Sequence, residues 1–398
     1  MTSSATASLD AFLDAHGEEL VAFRRRLHAH PELSWAEHET TAAVRARLEV
    51  AGAAVAPLAT ETGLQVDLGE GPGPTILLRA DIDALPLDDQ KEVPYRSTVP
   101  GVCHACGHDV HTTILLGAGL ALQQILGPEH PGRVRLLFQP AEESMPGGAE
   151  ALFRTAVLDD VDVAYAVHCD PSLEVGQVGL RSGPITSAAD RVVIRLSGPG
   201  GHTARPHLTS DLVHIAGRLI TDLPAGLTKL TDSRDAVTMV FGQVHAGHAP
   251  NVIPTRAELA GTLRVRGRAS WDSVQEIVES LVEATISPFG AAYELDYQRG
   301  SPPVDNDPQA TAVLRAATHA ALGREAGVPT QQSVGNEDFS WLLERVPGAY
   351  GRLGVRPVGA PRWADLHAGG FDIDEGAIPA GVRLLVHTAL EALSAYGG

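Results

Sequence analysis

The chain has 398 residues, 44% of them hydrophobic and 20% charged, with a formal net charge of -19. This length exceeds the roughly 250–300 residues that a single hydrophobic core organises, so we expect two domains. The acidic balance argues against nucleic-acid binding, which needs clustered basic residues, and Lys91 and Lys229 are the only lysines in the sequence.

The sequence contains no apolar run of about 18 residues, so we expect no membrane-spanning segment. Its first residues lack the apolar stretch of a signal peptide, which favours a cytoplasmic location. The three cysteines, Cys103, Cys106 and Cys169, disfavour a disulfide framework and favour metal or thiol chemistry.

The first part of the chain alternates helix and strand patterns. Residues 11–28 carry apolar side chains at helical spacing, and helices are also predicted over 112–126 and 147–158. Three apolar runs, each predicted to be a strand, end in polar residues. Since sites in open α/β sheets lie beyond the carboxyl ends of the strands, we expect these side chains to converge: Asp81, Asp83, Glu142, Glu143 and His168.

The pattern changes near residue 184. Strands and helices follow in the order β-α-β-β-α-β, which is typical of a ferredoxin-like domain. We therefore predict an inserted domain over 184–299. Residues 1–183 and 300–398 are predicted to form an α/β domain, whose last part contains two more helices.

The segment "GVCHACGHDVH", residues 101–111, has three interpretations. A redox C-x-x-C pair requires a helix directly after it, whereas the next helix is predicted to begin near Thr112. A closed structural zinc site requires a second cysteine or histidine pair at defined spacing. A catalytic metal site requires cysteine, histidine and carboxylate ligands from several strand ends. The strand-end residues favour this last interpretation.

Other polar residues also have more than one interpretation. Glu142 and Glu143 are adjacent at a strand end and should point in different directions, so one could bind a metal while the other acts as a base. A solvated acidic turn is the alternative. His168 could instead be a hydrogen-bonded core residue, and His367 could lie in a surface loop.

Three candidates lie in the predicted inserted domain. His202 follows a glycine-rich turn that lacks the pattern of a phosphate loop, and an ordinary hairpin turn is the alternative. Asn251 and Arg264 could hold a carboxylate, a task for which arginine is well suited. For each of them the alternative is a solvated edge of a sheet.

The motifs taken together resemble a known family, the metal-dependent N-acyl-amino-acid amidohydrolases. This family includes hippurate hydrolases, indole-acetyl-amino-acid hydrolases and related aminoacylase-like or carboxypeptidase-like enzymes. The ordered set is specific for the family but not for a substrate. The motifs are "HAHPELSWAE", "RADIDALPL", "GVCHACGHDVH", "LLFQPAEES", "GGHTARPH", "NVIP", "GTLR", "GNEDF" and "LHAGGFDIDE".

The resemblance implies a site for two divalent metal ions, which could be zinc, manganese, cobalt or nickel. Cys106 would bridge the two ions as a thiolate. His108 and His168 would complete the protein ligands of one ion, and Glu143 and His367 those of the other.

The resemblance also implies the remaining roles. Glu142 would be the general base, and Asp81 would orient a ligand or tune the base. His202 would stabilise the oxyanion, reaching the active site of a partner subunit. Arg264, with Asn251 nearby, would hold the carboxylate or the polarised carbonyl of the substrate.

The fold implied is a catalytic α/β domain interrupted by a ferredoxin-like domain that makes homodimers or higher homo-oligomers. The reaction implied is hydrolysis of an N-acyl amino acid to a carboxylic acid and a free amino acid. A metallo-dipeptidase or carboxypeptidase, a non-catalytic binding protein and a thiol redox protein are the alternatives. The segments "VGNEDF" and "LHAGGFD" depart from the family pattern near the expected substrate pocket, which bears on specificity.

Overall fold

The computed structural model describes residues 3–127 and 130–397. The helices are α1 (Ser3–Ala29), α2 (His38–Val50), α3 (His108–Ile125), α4 (Gly148–Phe153), α5 (Leu212–Leu230), α6 (Arg268–Ile286), α7 (Pro308–Leu322), α8 (Ser340–Leu343) and α9 (Ala377–Tyr396). The strands are β1 (Val55–Pro57), β2 (Leu64–Leu68), β3 (Thr75–Asp81), β4 (Arg133–Gln139), β5 (Val163–Glu174), β6 (Val178–Leu180), β7 (Gly183–Pro184), β8 (Ala188–Ser197), β9 (Gly201–His202), β10 (Thr238–Ala246), β11 (Val252–Ile253), β12 (Arg256–Val265), β13 (Ala292–Gln298), β14 (Asp305–Asn306), β15 (Gly327–Pro329) and β16 (Gly348–Arg356).

Internal contacts divide the described chain into two compact units. The first unit consists of the described residues up to Ile185, of Asp305–Gln331, and of the described residues from Asp338 onward. The second unit consists of Thr186–Val304 and the short segment Gln332–Glu337.

The short segment of the second unit was not foreseen from the sequence. Its attachment has a local cause, because the side-chain amide of Gln332 donates hydrogen bonds to the backbone oxygens of Thr186 and Arg266 at 2.9 and 2.8 Å. The backbone N–H of Ser187 also donates to the oxygen of Gly335 at 3.0 Å. These contacts bind a distant piece of the sequence to the start of the unit.

The first unit contains a mixed sheet with the strand order β1-β2-β4-β3-β5-β16-β6-β15. Strands β4, β3, β5 and β16 are parallel neighbours, whereas β2 and β6 pair antiparallel with the sheet. Every residue of β3 is buried, as expected for a strand that is covered on both faces. Helices α1, α3 and α9 pack together beside the sheet, which confirms the predicted α/β fold.

The second unit has an antiparallel sheet in the order β10-β12-β8-β13, packed with α5 and α6. Helix α5 buries Leu212, Leu219, Leu223 and Leu227, whose spacings of seven and four residues place them on one apolar face. The main strands and helices follow along the chain as β8, α5, β10, β12, α6 and β13, and β9 pairs separately with β11.

Among the helices of the described residues, none combines the length and the apolar character needed to cross a membrane.

Candidate metal centre

Polar segments meet at one edge of the sheet in the first unit. β3 runs parallel to both β4 and β5, and the carboxyl ends of parallel strands lie at the same edge. Residues 81–83 leave the end of β3, and residues 140–143 leave the end of β4. The side chains that the sequence analysis expected to converge therefore start from neighbouring positions.

His168 does not end its strand, so that part of the prediction is wrong. β5 continues to Glu174 because it keeps pairing with β16 on one side. On its other side the pairing with β3 stops at Ala166. His168 thus lies beyond the last residue of β5 that pairs with β3, which is why a residue in mid-strand still reaches the edge.

Helix α3 begins at His108, not near Thr112, so the prediction of its start is wrong. Gly107 caps the helix in the left-handed conformation with φ 84°, and a Cβ at this position would lie 2.8 Å from Sγ of Cys169. Only glycine adopts this conformation without strain and leaves the required space. A helix therefore does follow the C-x-x-C almost directly. The position of this helix gives no argument against a redox pair.

The surroundings of Cys103 and Cys106 give a better argument against a redox pair. Sγ of Cys103 lies 3.8 Å from Nζ of Lys91, while Sγ of Cys106 lies 3.3 Å from Nε2 of His168. All three cysteines are free and buried. The two thiols thus have different partners, which favours separate roles over a redox pair.

The candidate ligands form two groups that share one sulfur. The donor atoms of Cys106, His108 and His168 lie within 4.8 Å of one another, and so do those of Cys106, Glu143 and His367. These five residues, in the same two sets, are those that the resemblance implied as metal ligands, and their role as ligands stays a prediction. Donor atoms of His108, Glu142 and Glu143 form a further group within the same distance.

Hydrogen bonds orient both histidines of the first group. Nδ1 of His108 lies 3.2 Å from Oδ1 of Asp83, and Nδ1 of His168 lies 2.8 Å from the backbone oxygen of Cys169. Each contact occupies Nδ1 and leaves Nε2 directed into the group. Metal-binding histidines in proteins are usually held in this way, by a carboxylate or a carbonyl behind the ring.

Two buried atoms in the cluster make no hydrogen bond of acceptable geometry, namely Nε2 of His108 and Oε1 of Glu143, although this oxygen lies 3.2 Å from Nε2 of His367. Buried polar atoms are almost always hydrogen-bonded, and each exception needs an explanation. A cation between the nitrogen and the carboxylate oxygen would satisfy both. The thiol, imidazole and carboxylate donors around it also suit zinc and related transition metals.

His367 is held in place by its backbone. Its φ is 59°, which is unusual for a residue other than glycine, and its N–H donates to the oxygen of Ala105 at 2.8 Å. Its Nε2 lies 3.2 Å from Oε1 of Glu143. Backbone strain of this kind is concentrated at functional sites, where the surroundings impose it.

The electrostatics of the cluster reflect buried acidic groups. Burial raises the pKa of the Cys106 thiol well above its ordinary value, and the carboxylates of Glu143 and Glu142 raise it further. Burial lowers the pKa of His108, but Asp81 and Asp83 outweigh it and raise that pKa to about 10. The buried carboxylates therefore favour positive charge at His108, whereas burial and the neighbouring His111 lower the pKa of His168 well below its ordinary value.

Asp81 is buried, and its Oδ2 lies 3.7 Å from Nε2 of His108. Its Oδ1 lies 2.6 Å from Nδ1 of His111, and its Oδ2 accepts a hydrogen bond from Arg79 at 2.8 Å. The other ring nitrogen of His111 accepts the backbone N–H of Cys169 at 2.8 Å. Asp81 therefore holds a fully bonded histidine, and its predicted role at the ligands or the base stays a prediction.

Asp83 and Glu37 have contacts at the cluster that the sequence analysis did not assign. Besides His108, Asp83 binds the N–H of Glu143 at 3.0 Å through Oδ2. Oε1 of the buried Glu37 accepts the N–H of Ala141 at 2.8 Å, which fixes the backbone just before Glu142. Asp83 was at least a strand-end candidate, but nothing in the local sequence pointed to Glu37.

The three candidates of the second unit lie in two places. His202 is exposed on β9, directly paired with Val252 of β11, so it is close to Asn251 in that ladder. Its Nδ1 accepts the N–H of Ala204 at 3.0 Å. Arg264 lies on β12 and donates to the backbone oxygen of Val334 at 2.6 Å. Their predicted roles toward the substrate stay predictions.

The donor set at this edge of the sheet is of the kind found in metal-dependent hydrolases. Residues 77–391 match the Peptidase family M20/M25/M40. The chain belongs to this family.

Curated relatives agree with this assignment. The chain is 47% identical to a Rhodococcus jostii protein provisionally named glutamate–cysteine ligase 2-3, covering 93% of this chain but 46% of that protein, so it spans about half of that relative's length. It is 35% identical to the N-acetyl-L-cysteine deacetylase of Bacillus subtilis, covering 94% of this chain and 88% of the relative. It is 38% identical to the N-acyl-L-amino acid amidohydrolase of Geobacillus stearothermophilus, covering 72% and 78%.

A solved structure from Bacillus subtilis is similar throughout. It is described as a dinuclear metal binding peptidase of the M20 family, with a TM-score of 0.83 and 33% identity over 96% of this chain and 99% of that one.

Proposed function

We propose that this amidohydrolase cleaves the amide bond of N-acyl amino acids at a dinuclear metal site, releasing a carboxylic acid and a free amino acid. The observation that carries the proposal is the membership of Cys106 in two ligand groups, one with His108 and His168 and the other with Glu143 and His367. The names of the deacetylase and amidohydrolase relatives support the reaction, and the description of the similar structure supports two metal ions.

The ligand residues would divide between the two ions. Cys106 would bridge them, since its sulfur belongs to both groups. Bound divalent ions supply Lewis acidity that polarises a carbonyl and makes water more acidic. Zinc, manganese, cobalt and nickel all accept this mixture of donors.

Glu142 would move the protons of the reaction. Its carboxylate is grouped with His108 and Glu143 and is not needed as a ligand in either of the sets that share Cys106. It would accept a proton from the attacking water and deliver it to the leaving amine nitrogen. Glu37, through the N–H of Ala141, would keep the segment that carries Glu142 in one conformation.

The second unit would supply the substrate contacts. Arg264 would bind the carboxylate of the substrate, with Asn251 beside it, and His202 of a partner subunit would stabilise the oxyanion. The exposure of His202 and its proximity to Asn251 support a role at an open surface. Stabilisation by one such donor typically contributes about 3–4 kcal/mol.

We also propose that the second unit is the ferredoxin-like dimerisation domain of a cytoplasmic enzyme. Its main elements follow the order β-α-β-β-α-β. β10 lies at one edge of the sheet and exposes Val240 and Val244. An apolar edge strand is suited to pairing with a second copy.

The proposal is tested by measuring the release of free amino acid from N-acetyl, N-benzoyl and N-indoleacetyl amino acids, with dipeptides as controls. Metal-reconstituted and chelator-treated protein are compared side by side. Metal-dependent release from the N-acyl substrates is expected. Release from dipeptides alone would identify the protein as a dipeptidase instead. No release by protein with full metal occupancy would overturn the proposed function.

A further inference from the structure

The connection between α1 and α2, residues 30–37, is attached to the metal cluster at its middle. Ser34 donates a hydrogen bond from Oγ to Oδ2 of Asp83 at 2.7 Å. The same oxygen accepts the N–H of Glu143 at 3.0 Å, while Oδ1 of Asp83 lies 3.2 Å from His108. Ser34 is therefore separated from two candidate metal ligands by a single carboxylate.

Two further contacts fix the same segment. The oxygen of Glu32 accepts the N–H of Ala84 at 2.8 Å, just after Asp83. Oε1 of Glu37 accepts the N–H of Trp35 at 3.0 Å and that of Ala141 at 2.8 Å. One carboxylate oxygen thus joins Trp35 to the residue before Glu142.

The two residues that flank Ser34 are large, apolar and exposed. Leu33 is 38% exposed and Trp35 is 39% exposed, and both lie outside the buried hydrophobic core of the first unit. Trp35 also has a φ of 67°, a conformation that is a genuine outlier for a bulky residue. Single exposed apolar residues are common, but a strained one anchored at the catalytic edge calls for a functional explanation.

The charge of the segment indicates which part of a substrate it suits. Residues 30–37 read "HPELSWAE" and contain two glutamates, one histidine and no lysine or arginine. A negatively charged carboxylate would be repelled there. The amino-acid half of an N-acyl amino acid carries such a carboxylate, whereas an aromatic or aliphatic acyl group does not.

Resting on the proposed function, we propose that Leu33 and Trp35 form the subsite for the acyl group of the substrate. The apolar acyl group packs against the indole ring and the leucine side chain, while the amide carbonyl lies at the ligand cluster. The enzyme therefore prefers N-acyl amino acids with an aromatic or long aliphatic acyl group over N-acetyl amino acids.

The test is kcat/KM for N-acetyl, N-benzoyl and N-indoleacetyl derivatives of one amino acid, in the wild type and in Trp35→Ala, Leu33→Ala and Trp35→Phe. Val50→Ala is the control, since Val50 is 83% exposed at the end of α2. Removing an apolar contact from a subsite typically costs tenfold or more in kcat/KM. Trp35→Ala should lose about tenfold or more in kcat/KM on the two aromatic substrates, lose much less on the N-acetyl substrate, and be largely rescued in Trp35→Phe.

A second series varies the amino acid at a constant acetyl group. A uniform loss across all substrates in Trp35→Ala would show a purely structural role and overturn the subsite. A loss of kcat/KM that varies with the amino acid rather than with the acyl group would place the amino-acid half of the substrate at Trp35. That result would also overturn the acyl subsite.

A binding measurement separates this subsite from the reaction. Titration of the metal-reconstituted protein with 4-nitrobenzoate, an analogue of an aromatic acyl group, should quench fluorescence from Trp35, and Trp35→Phe should lose that quenching while calorimetry still detects binding. If the wild type hydrolyses none of the substrates, the proposed function fails. The titration then still shows whether Trp35 contacts a bound aromatic acyl group. Equal quenching in the wild type and Trp35→Phe would contradict the subsite.

Discussion

Asp83 contacts His108 through one carboxylate oxygen, Oδ1 to Nδ1 at 3.2 Å, and uses the other for the backbone of Glu143. A single side chain thus orients a candidate ligand from each of the two metal groups. Asp81, two residues earlier in the sequence, makes its hydrogen bonds with Arg79 and His111, and its Oδ2 lies farther from His108, 3.7 Å from Nε2. The two aspartates of "RADID" therefore have separable effects.

Asp83→Asn should weaken metal binding by about 10–100-fold, the usual cost of losing the group behind a histidine ligand. Asp81→Asn should mainly reduce the stability of the fold, by about 1–3 kcal/mol, because the buried Arg79 and His111 each lose a charged hydrogen-bond partner while Arg79 keeps its contact with Asp338 at 2.8 Å. Metal affinity by competition with a chelator and stability by urea unfolding give the two readouts. The reverse pattern would assign the ligand-orienting role to Asp81.

Cys106→Ser should leave the chain folded but reduce the number of ions bound per chain, because the sulfur belongs to both ligand groups. Cys103→Ser is the matched control, since Cys103 is also buried but faces Lys91 and is grouped with His28 and Asp89 rather than with the candidate ligands. Metal content by mass spectrometry of the dialysed protein is the measurement. Unchanged occupancy in Cys106→Ser would count against the bridge.

Glu37→Ala should destabilise the protein by about 1–3 kcal/mol for each N–H left unsatisfied, and it should also lower kcat because Ala141 precedes Glu142. Glu37→Gln keeps an oxygen acceptor at nearly the same place and should be milder in both respects. Urea unfolding and steady-state kinetics of the two variants are compared. Equal effects of alanine and glutamine would show that the acceptor is not what matters.

The stability of the protein should depend on the charge of His28, which lies buried between two acids. Its Nδ1 lies 2.7 Å from Asp109 and its Nε2 lies 3.3 Å from Asp89. Burial lowers the pKa of His28. The negative charge of Asp109 and the hydrogen bonds of His28 with Asp109 and Asp89 outweigh the effect of burial and raise the pKa of His28 to about 10. The unfolded value is near 6.5, so the stabilisation is complete below about pH 6.5 and is lost as pH rises toward 10.

The comparison with His28→Gln measures this directly. The difference in free energy of unfolding between the wild type and the variant should be largest at pH 6 and shrink steadily by pH 10, in urea titrations on metal-reconstituted protein. A difference that stays constant over this range would mean that His28 is not charged in the folded state.

The sequence was informative where the chemistry is local. Glu142 and Glu143 follow a buried strand, so their place at the carboxyl end of the sheet could be predicted, whereas the ligand roles of Cys106 and His108 were implied by the family resemblance. The start of α3 was missed because its cap, Gly107, carries no side chain that would signal a helix N-terminus.

Long-range contacts were not predictable in the same way. Glu37 lies 104 positions before Ala141, and nothing in either neighbourhood indicates that they meet. Asp81 and Asp83 could not be told apart because both follow the same strand, and their roles depend on which histidine each side chain reaches. The segment Gln332–Glu337 joins the second unit through a side-chain amide, which leaves no periodic pattern in the sequence.

The most direct test of the whole account is the rate of amino acid release by Glu142→Gln, measured on protein whose metal content is determined in the same sample. Glutamine preserves the size of the side chain but cannot carry a proton between water and the leaving amine. The account predicts two ions per chain and a loss of about 10²–10⁴-fold or more in kcat, the usual contribution of a general base. A variant that keeps wild-type turnover with both ions bound would contradict it.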